Sequence, residues 1–338
     1  MPDALVLPSP ARAPELVPSS RSGLPRGAPL LTIAIPAYRC PGLLREALAS
    51  IATQTDLRDV EVVVCDDGRL EETRRVVRET PLRNLRYYAN RRHLGAVANW
   101  NRCLRLARGR WVTILHEDDT LYPWFVATIR PRLRAGVAAV AVHCVQGAEP
   151  PDVQRARASR DRVYEPAWFL KSSMTPFPGV VFPRELGLRL GGFDAQEAGI
   201  ADYAFWYSLA RAGRVEALGT TAAFYRRHDG QWTEGEWPAM LRRAHLLRLR
   251  VAREQFPDHP AIGRWFARFY TARMARSYER RFAQRPATLA RARRLERIPL
   301  AWLPSGWVWK LLRHAPRLSS ETLLSFPPLP QSQRISPS

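Results

Sequence analysis

The chain has 338 residues, 46% of them apolar, enough for one large domain or two modest ones with a real core. Lys+Arg number 52 against Asp+Glu 31, a net charge of +21 carried almost wholly by arginine, since Lys171 and Lys310 are the only lysines; such an excess attracts polyanions in general or reflects a GC-rich genome, and does not choose a partner. Cys40, Cys65, Cys103 and Cys144 form no CxxC or Cys-His cluster and read as reduced, mostly buried thiols, and no apolar run reaches the roughly 18 to 20 residues of a membrane-spanning helix.

Residues 1 to 29 are rich in Pro, Ser, Arg and Gly without apolar periodicity, and read as a disordered leader. They do not start with basic residues followed by an apolar run, so no secretory signal is expected, and the reduced cysteines fit a cytoplasmic location. Leu30 to Ile35 is a short apolar run of the kind a buried parallel strand makes, ended by Pro36-Ala37-Tyr38. Pro41 suits the first turn of a helix whose apolar face is Leu43, Leu44, Ala47, Leu48 and Ile51. Val60 to Cys65 is a second strand ending in Asp66-Asp67-Gly68. A helix over 70–79, a strand at Leu85 to Tyr88 and a helix from Ala96 to Arg108 follow, the last closed by Gly109 as a C-cap. Trp111 to Leu115 is a strand ending in His116-Glu117-Asp118-Asp119. A helix over 122–134 and a strand at Val137 to His143 come next.

Residues 146 to 163 read as an Arg-rich loop. Beyond it lie a strand-like run at 179–182, a turn at Gly191-Gly192-Phe193-Asp194, a helix from Asp202 to Ala212 and a strand from Thr220 to His228. Alternating strands and helices predict an α/β fold with a mainly parallel sheet, in which ligands bind at the carboxyl ends of strands. Both acidic clusters stand at such ends. Carboxylates there suit Mg²⁺ or Mn²⁺ shared with substrate phosphates, and an Asp at a strand end suits a base N–H or ribose hydroxyl. Each cluster taken alone is equally a solvated turn, and Asp202 alone an N-cap.

The motifs in order resemble glycosyltransferase family 2, the inverting GT-A transferases that use nucleotide sugars. Thr32 to Tyr38 resembles the opening strand, with Arg39 where Asn is usual, and Val62 to Gly68 the second strand with its acidic pair. Asn90 with Leu94-Gly95, Asn99-Trp100-Asn101 with Gly109 eight residues on, and Leu115 to Asp119 resemble the segments leading to the metal-binding DxD region. Gly191 to Asp194, Ala201-Asp202-Tyr203 and Tyr225-Arg226-Arg227-His228 resemble the acceptor half. The resemblance covers residues 30–235, divided into a nucleotide-binding half at 30–120 and an acceptor half at 121–235.

The resemblance implies a metal-dependent inverting transfer of a sugar from a nucleoside-diphosphate sugar to an acceptor hydroxyl, in bacterial surface polysaccharide or glycolipid assembly. Pro36, Ala37 and Tyr38 would line the base pocket, Asp66 or Asp67 would read base and ribose, and Asn101 joins this binding set. Asp118 would hold Mn²⁺ or Mg²⁺, with Asp119, His116 and His228 as further ligand candidates. Asp202 would be the general base, and Arg226, Arg227 and His228 would face the leaving diphosphate. His116 replaces the usual first Asp of DxD, Arg69 the usual Ser after Asp-Asp-Gly, and Ala201 the usual Glu before the base. Two rival readings are a GT-A-like binder of nucleotide or glycan without turnover, and a sugar nucleotidyltransferase. The latter expects a Gly-rich phosphate loop that Pro36 to Pro41 lacks.

Residues 236–315 read as a helical basic extension and 316–338 as a disordered tail. Arg242, Arg243, Arg248, Arg250, Arg253, Arg264 and Arg268 fit solvated helix faces, or attachment to the anionic inner face of a membrane together with Trp302, Trp307 and Trp309. A glycan or lipid-linked acceptor accords with the second reading. Nucleic acid is not expected, because no reading motif accompanies the charge.

Overall fold

The computed structural model describes residues 27–152, 159–228 and 233–282. The expectations for the leader over residues 1–26, for the part of the basic extension over 283–315 that holds Trp302, Trp307 and Trp309, and for the tail lie outside these described residues.

The first half is built as the alternation predicts. Strands β1 (Leu31–Ala37), β2 (Val60–Asp66), β3 (Leu85–Ala89) and β4 (Trp111–Ile114) are separated by helices α1 (Pro41–Ala52), α2 (Glu71–Glu79) and α3 (Ala96–Leu106). Their order is β3-β2-β1-β4, all parallel, so the chain reverses direction of winding between β1 and β4. That reversal opens a crevice at the carboxyl ends of these two strands. The apolar runs are buried on both faces. Ile33, Ile35, Val62 and Val64 pack on α1 through Leu44, Leu48 and Ile51, while Ala34, Val63 and Cys65 face α3 through Trp100 and Cys103.

The second half departs from simple alternation. After β5 (Thr120–Leu121) and α4 (Phe125–Ile129) come β6 (Val137–Gly147), β7 (Arg162–Val163), β8 (Val180–Pro183), α5 (Arg184–Arg189), α6 (Ala201–Ala212) and β9 (Arg214–Arg226). β8 runs antiparallel between β4 and β6, β6 and β9 are parallel, and β5 and β7 both join β9 antiparallel. Register shifts at Val142, His143 and Cys144 bend β6 against β9 beside the crevice. Helices α7 (Thr233–Gln255) and α8 (Pro260–Phe282) pair with each other and bury Leu247, Val251, Phe266 and Tyr270 in the same core as α6.

Three expectations are corrected. The helix over 122–134 is only Phe125–Ile129 followed by a single 3₁₀ turn, because Pro123 and Pro131 remove backbone donors at either end. Gly109 does not cap α3, which ends at Ala107. Gly109 instead presses on β1, where a Cβ would lie 2.5 Å from the Thr32 nitrogen. Its N–H donates to Thr32 Oγ1 at 2.9 Å, and that hydroxyl donates to the buried Glu61 at 2.7 Å. Finally, the extension's arginines are not uniformly solvated. Arg242, Arg253, Arg264 and Arg268 are exposed, but Arg248 is buried, donating to the Leu170 carbonyl at 3.0 Å with its guanidinium over Tyr203.

Candidate functional site

A cleft of about 1560 Å³ lies at the carboxyl ends of β1, β2 and β4 and continues along β6. Pro36, Tyr38, Asp67, His116, Asp118, Asp202 and His228 all line it. Ala37, Asp66, Asn101, Asp119 and Arg227 do not.

The first acidic pair divides its work. Asp66 is fully buried: Oδ1 accepts from the Gly68 and Arg69 N–H groups at 2.8 and 2.9 Å, and Oδ2 from the Tyr87 hydroxyl at 2.6 Å. Its carboxylate shapes the turn after β2. Asp67 reaches the cleft and organises the loop before α3, accepting from Asn90 Nδ2 at 2.7 Å and from the Leu94 and Gly95 N–H groups at 2.9 Å. His93 Nδ1 sits 2.9 Å from Asp67 Oδ2, and the His93 ring lies 4.7 Å from that of Tyr38. Tyr38 is 42% exposed, a large aromatic at the cleft mouth. Tyr38, His93 and Asp67 therefore form a surface with aromatic faces and an adjacent carboxylate, the chemistry that a planar base and its N–H groups match. Asn101 is spent elsewhere: its amide donates to the Phe193 carbonyl and accepts from the Phe193 N–H, at 2.7 and 2.8 Å, clamping the Gly191-Gly192 turn.

The second cluster follows β4. Because β4 lies beside β1, Glu117 Oε1 accepts from the Tyr38 N–H at 2.7 Å and ties the two strand ends together. Burial pushes the Glu117 carboxyl up to about 7. His116, Asp118 and Asp119 each offer one ligand atom, all within 4.8 Å of one another. The His116 ring packs against both Trp100 and Phe177, at 5.2 and 4.5 Å, and burial lowers its pKa, keeping the imidazole neutral and able to donate a lone pair. His116 Nε2 and Asp119 Oδ2 are both buried without a hydrogen-bond partner. Burial also pushes Asp119 well above the usual carboxylate range. Two orphaned lone-pair atoms beside a second carboxylate, that of Asp118, make a set that a divalent cation fits: it would partner both and make an ionised Asp119 tenable. One nitrogen and two oxygens favour Mn²⁺ over Mg²⁺.

The acceptor-side residues come from β9 and α6. Arg226 is 5% exposed and structural, with its N–H on Asp119 Oδ1 and its Nε on the Asp118 carbonyl, both at 3.0 Å, and ion pairs to Glu46 and Glu149. Arg227 does not line the cleft and bonds the side chain of Gln146, which does. One residue further, His228 Nε2 lies 3.1 Å from Asp118 Oδ2. Asp202 stands in the first turn of α6, but the N-cap position is Ile200, so the capping reading does not hold. Asp202 Oδ1 accepts the Tyr203 N–H at 2.7 Å, and burial pushes its carboxyl up to about 6. A carboxylate of that basicity in a cleft is poised to accept a proton near neutral pH.

Sequence reasoning missed His93 and Lys171 as cleft residues, and it placed Glu117 in the second acidic cluster without giving it a role of its own. Glu117 carried a signal, as one acid in a run at a strand end. His93 and Lys171 carried none, because loops distant in sequence bring them in.

Residues 32–186 match the sequence profile described as Glycosyl transferase family 2. The GalNAc(5)-diNAcBac-PP-undecaprenol beta-1,3-glucosyltransferase of Campylobacter jejuni is 31% identical over 120 residues, covering 35% of this chain and 38% of that protein. Among solved structures, S. aureus TarS 1-349 in complex with UDP-GlcNAc superposes with a TM-score of 0.56 at 15% identity, covering 72% of each chain. The mannosyltransferase PcManGT from Pyrobaculum calidifontis, in complex with GDP-Man and Mn²⁺, gives a TM-score of 0.50 at 19% identity over 91% of this chain and 88% of that one. These likenesses show the GT-A fold. The chain spans between 32% and 62% of the length of the curated relatives it matches first.

Proposed function

We propose, from the premise that this chain carries a glycosyl transferase family 2 domain over residues 32–186, that it is a metal-dependent inverting glycosyltransferase. It moves a sugar from a nucleoside-diphosphate sugar to an acceptor hydroxyl, in the assembly of a bacterial surface polysaccharide or glycolipid. The observation that carries the reading is the His116, Asp118 and Asp119 group, with two orphaned buried ligand atoms, in the same cleft region as Asp202.

In this reading Tyr38 and His93 hold the base between them and the solvent, and Asp67 fixes His93 and offers a carboxylate edge to base or ribose. His116, Asp118 and Asp119 would hold the cation, which when bound neutralises charge on the leaving diphosphate. His228 orients Asp118 through their contact. Asp202 accepts the proton of the attacking hydroxyl, and its raised pKa matches it to that task. A single base and a single displacement leave the anomeric centre inverted, with no nucleophile on the protein required. Arg226 supports the site from behind rather than facing the diphosphate, and neither Asn101 nor Asp66 enters the donor-binding set.

Hydrolysis of nucleotide sugars with water as acceptor tests the reading. The wild type is expected to turn over at least one common donor with Mn²⁺ and to stop on chelation, and Asp118→Ala is expected to be inactive. Absence of metal-dependent turnover across the donors would favour a binding protein instead.

A further inference from the structure

Helices α7 and α8 run antiparallel. His245 Nδ1 lies 3.1 Å from Thr271 Oγ1, and at the other end of the contact Gly263 backs onto Ala252, where a Cβ on the glycine would lie 3.1 Å from the alanine Cβ. Helical spacing divides the surface of α7 into distinct faces. Ala244, Leu247, Arg248 and Val251 are buried. One flank is tied to the loop before α6 and to α6 itself: Arg243 donates to the Ala198 carbonyl at 2.6 Å, and Glu254 takes the Tyr207 hydroxyl at 2.7 Å and Arg211 at 3.0 Å. What remains is Arg242, Leu246, Leu249 and Arg253, a stripe in which Leu249 is half-buried and the other three are exposed. On α8 the exposed arginines are Arg264 and Arg268, four residues apart. At about 100° per residue, the stripe on each helix lies roughly 80° past the residues that touch the partner helix, in the same rotational sense. For antiparallel neighbours this puts both stripes on one side of the pair, away from the core.

The register of the pair sets Arg264 near Arg253 and Arg268 near Leu246 and Leu249, so four arginines frame two leucines. None of the four makes an ion pair among the described residues. The acids between residues 240 and 277 are Glu254, held on the α6 side, and Asp258, in the turn between the helices, so the face itself carries one sign of charge. Leu246 is 57% exposed, and among the described residues only Tyr38 at the cleft mouth is another large apolar side chain so open to solvent. Like charges gathered on one face repel one another, and an anionic surface offsets that repulsion. A lipid headgroup layer supplies both partners the face calls for. Its phosphates meet guanidinium groups that snorkel outward, and its acyl boundary takes up the leucine. A nucleic acid duplex answers the charge but offers no apolar layer to Leu246. A second copy of this chain would oppose the same sign of charge.

We propose that the outer face of α7 and α8, formed by Arg242, Leu246, Arg253, Arg264 and Arg268, docks on an anionic lipid surface. The arginines meet the headgroup phosphates, and Leu246 enters the layer beneath them. Docking of this kind needs no turnover, so it stands or falls apart from the transferase reading.

The test is flotation of the full chain with vesicles of equal parts phosphatidylglycerol and phosphatidylcholine, against vesicles of phosphatidylcholine alone. The wild type is expected to bind the anionic vesicles at least about tenfold more tightly, and to weaken as salt rises. Arg242→Glu, Arg253→Glu, Arg264→Glu and Arg268→Glu together are expected to weaken that binding at least about tenfold. Gln at the same four positions removes the charge without reversing it; a loss of about fivefold or more is expected, and this variant decides if the reversed chain does not fold. Arg75→Glu, Arg83→Glu, Arg105→Glu and Arg189→Glu together make an equal change in net charge at exposed positions elsewhere. That control is expected to bind within about threefold of the wild type. Leu246→Ser is expected to weaken binding several-fold and to leave its salt dependence unchanged. Binding by the face variant equal to that of the wild type, an equal loss in the control, or no preference for the anionic vesicles would each overturn the proposal. Tighter binding to a short DNA duplex than to the vesicles, lost in the face variant, would assign the face to nucleic acid and overturn it as well.

Discussion

His228 Nε2 lies 3.1 Å from Asp118 Oδ2, joining residues 110 positions apart at the point where β9 ends against the loop after β4. The imidazole holds one carboxylate oxygen and leaves the other to the cleft. Replacing His228 by Ala removes that hold without touching His116 or Asp119, so metal affinity or turnover is expected to fall about 10- to 100-fold. Turnover measured against Mn²⁺ concentration checks this. An unchanged Mn²⁺ dependence would leave His228 a surface residue.

Asp202 carries a pH signature. Its carboxyl titrates at about 6 in the folded chain, so activity is expected to rise with pH through 6 and level off above it. The folded state binds this proton more tightly than the unfolded chain does. Asp202 therefore lowers stability as pH rises from about 4 to 6, and that loss persists at neutral pH. Asp202→Asn removes the loss. The variant should be more stable than the wild type by about 1 to 3 kcal/mol at pH 7, indistinguishable near pH 4, and slower by about 10²- to 10⁴-fold. Denaturation at the two pH values, beside a turnover assay, separates these effects; a variant that is less stable at pH 7 contradicts the assignment.

Arg226 is a stability residue rather than a ligand. Arg226→Ala would strip the Asp118 and Ala148 carbonyls of a donor and leave Glu46 and Glu149 without their cation. A loss of about 1 to 3 kcal/mol is expected. Urea unfolding measures it, and a change within experimental error would show the network to be weaker than its burial implies.

Gly109 tests the close approach of the α3–β4 link to β1. A methyl group there meets backbone at 2.5 Å, and backbone cannot swing aside. Gly109→Ala is expected to cost about 1 to 3 kcal/mol. A helix C-cap glycine would show instead a penalty from positive φ, yet Gly109 is absent from the positive-φ glycines.

How much of this was legible in the sequence depends on distance along the chain. The parallel half was, because Leu31 to Ala37 and Val60 to Asp66 are largely apolar runs buried on both faces, and each is followed directly by a residue that reaches the cleft, Tyr38 and Asp67. The second acidic cluster could be placed at a strand end from sequence alone, and His116 stood out within it; the packing of its ring against Trp100 and Phe177 depends on residues 16 and 61 positions away. The division of labour between Asp66 and Asp67 was not legible, since adjacent acids point to opposite sides of the chain and only the fold says which side is the cleft. β7 is two residues long and exists through its partner β9. β9 itself starts at Arg214 rather than Thr220, with Gly219 inside it. The burial of Arg248 did carry a signal: it falls on the stripe of Ala244, Leu247 and Val251 that α7 buries.

The central claim is that His116, Asp118 and Asp119 form one cation site. The most direct measurement is electron paramagnetic resonance of free Mn²⁺ titrated with the full chain and a nucleoside diphosphate, for the wild type, His116→Phe and Asp118→Ala. The account predicts depletion of the free-ion signal by the wild type, at about one Mn²⁺ per chain, weaker depletion by His116→Phe, and none by Asp118→Ala beyond what the nucleotide alone takes up. Equal depletion by all three proteins would contradict it.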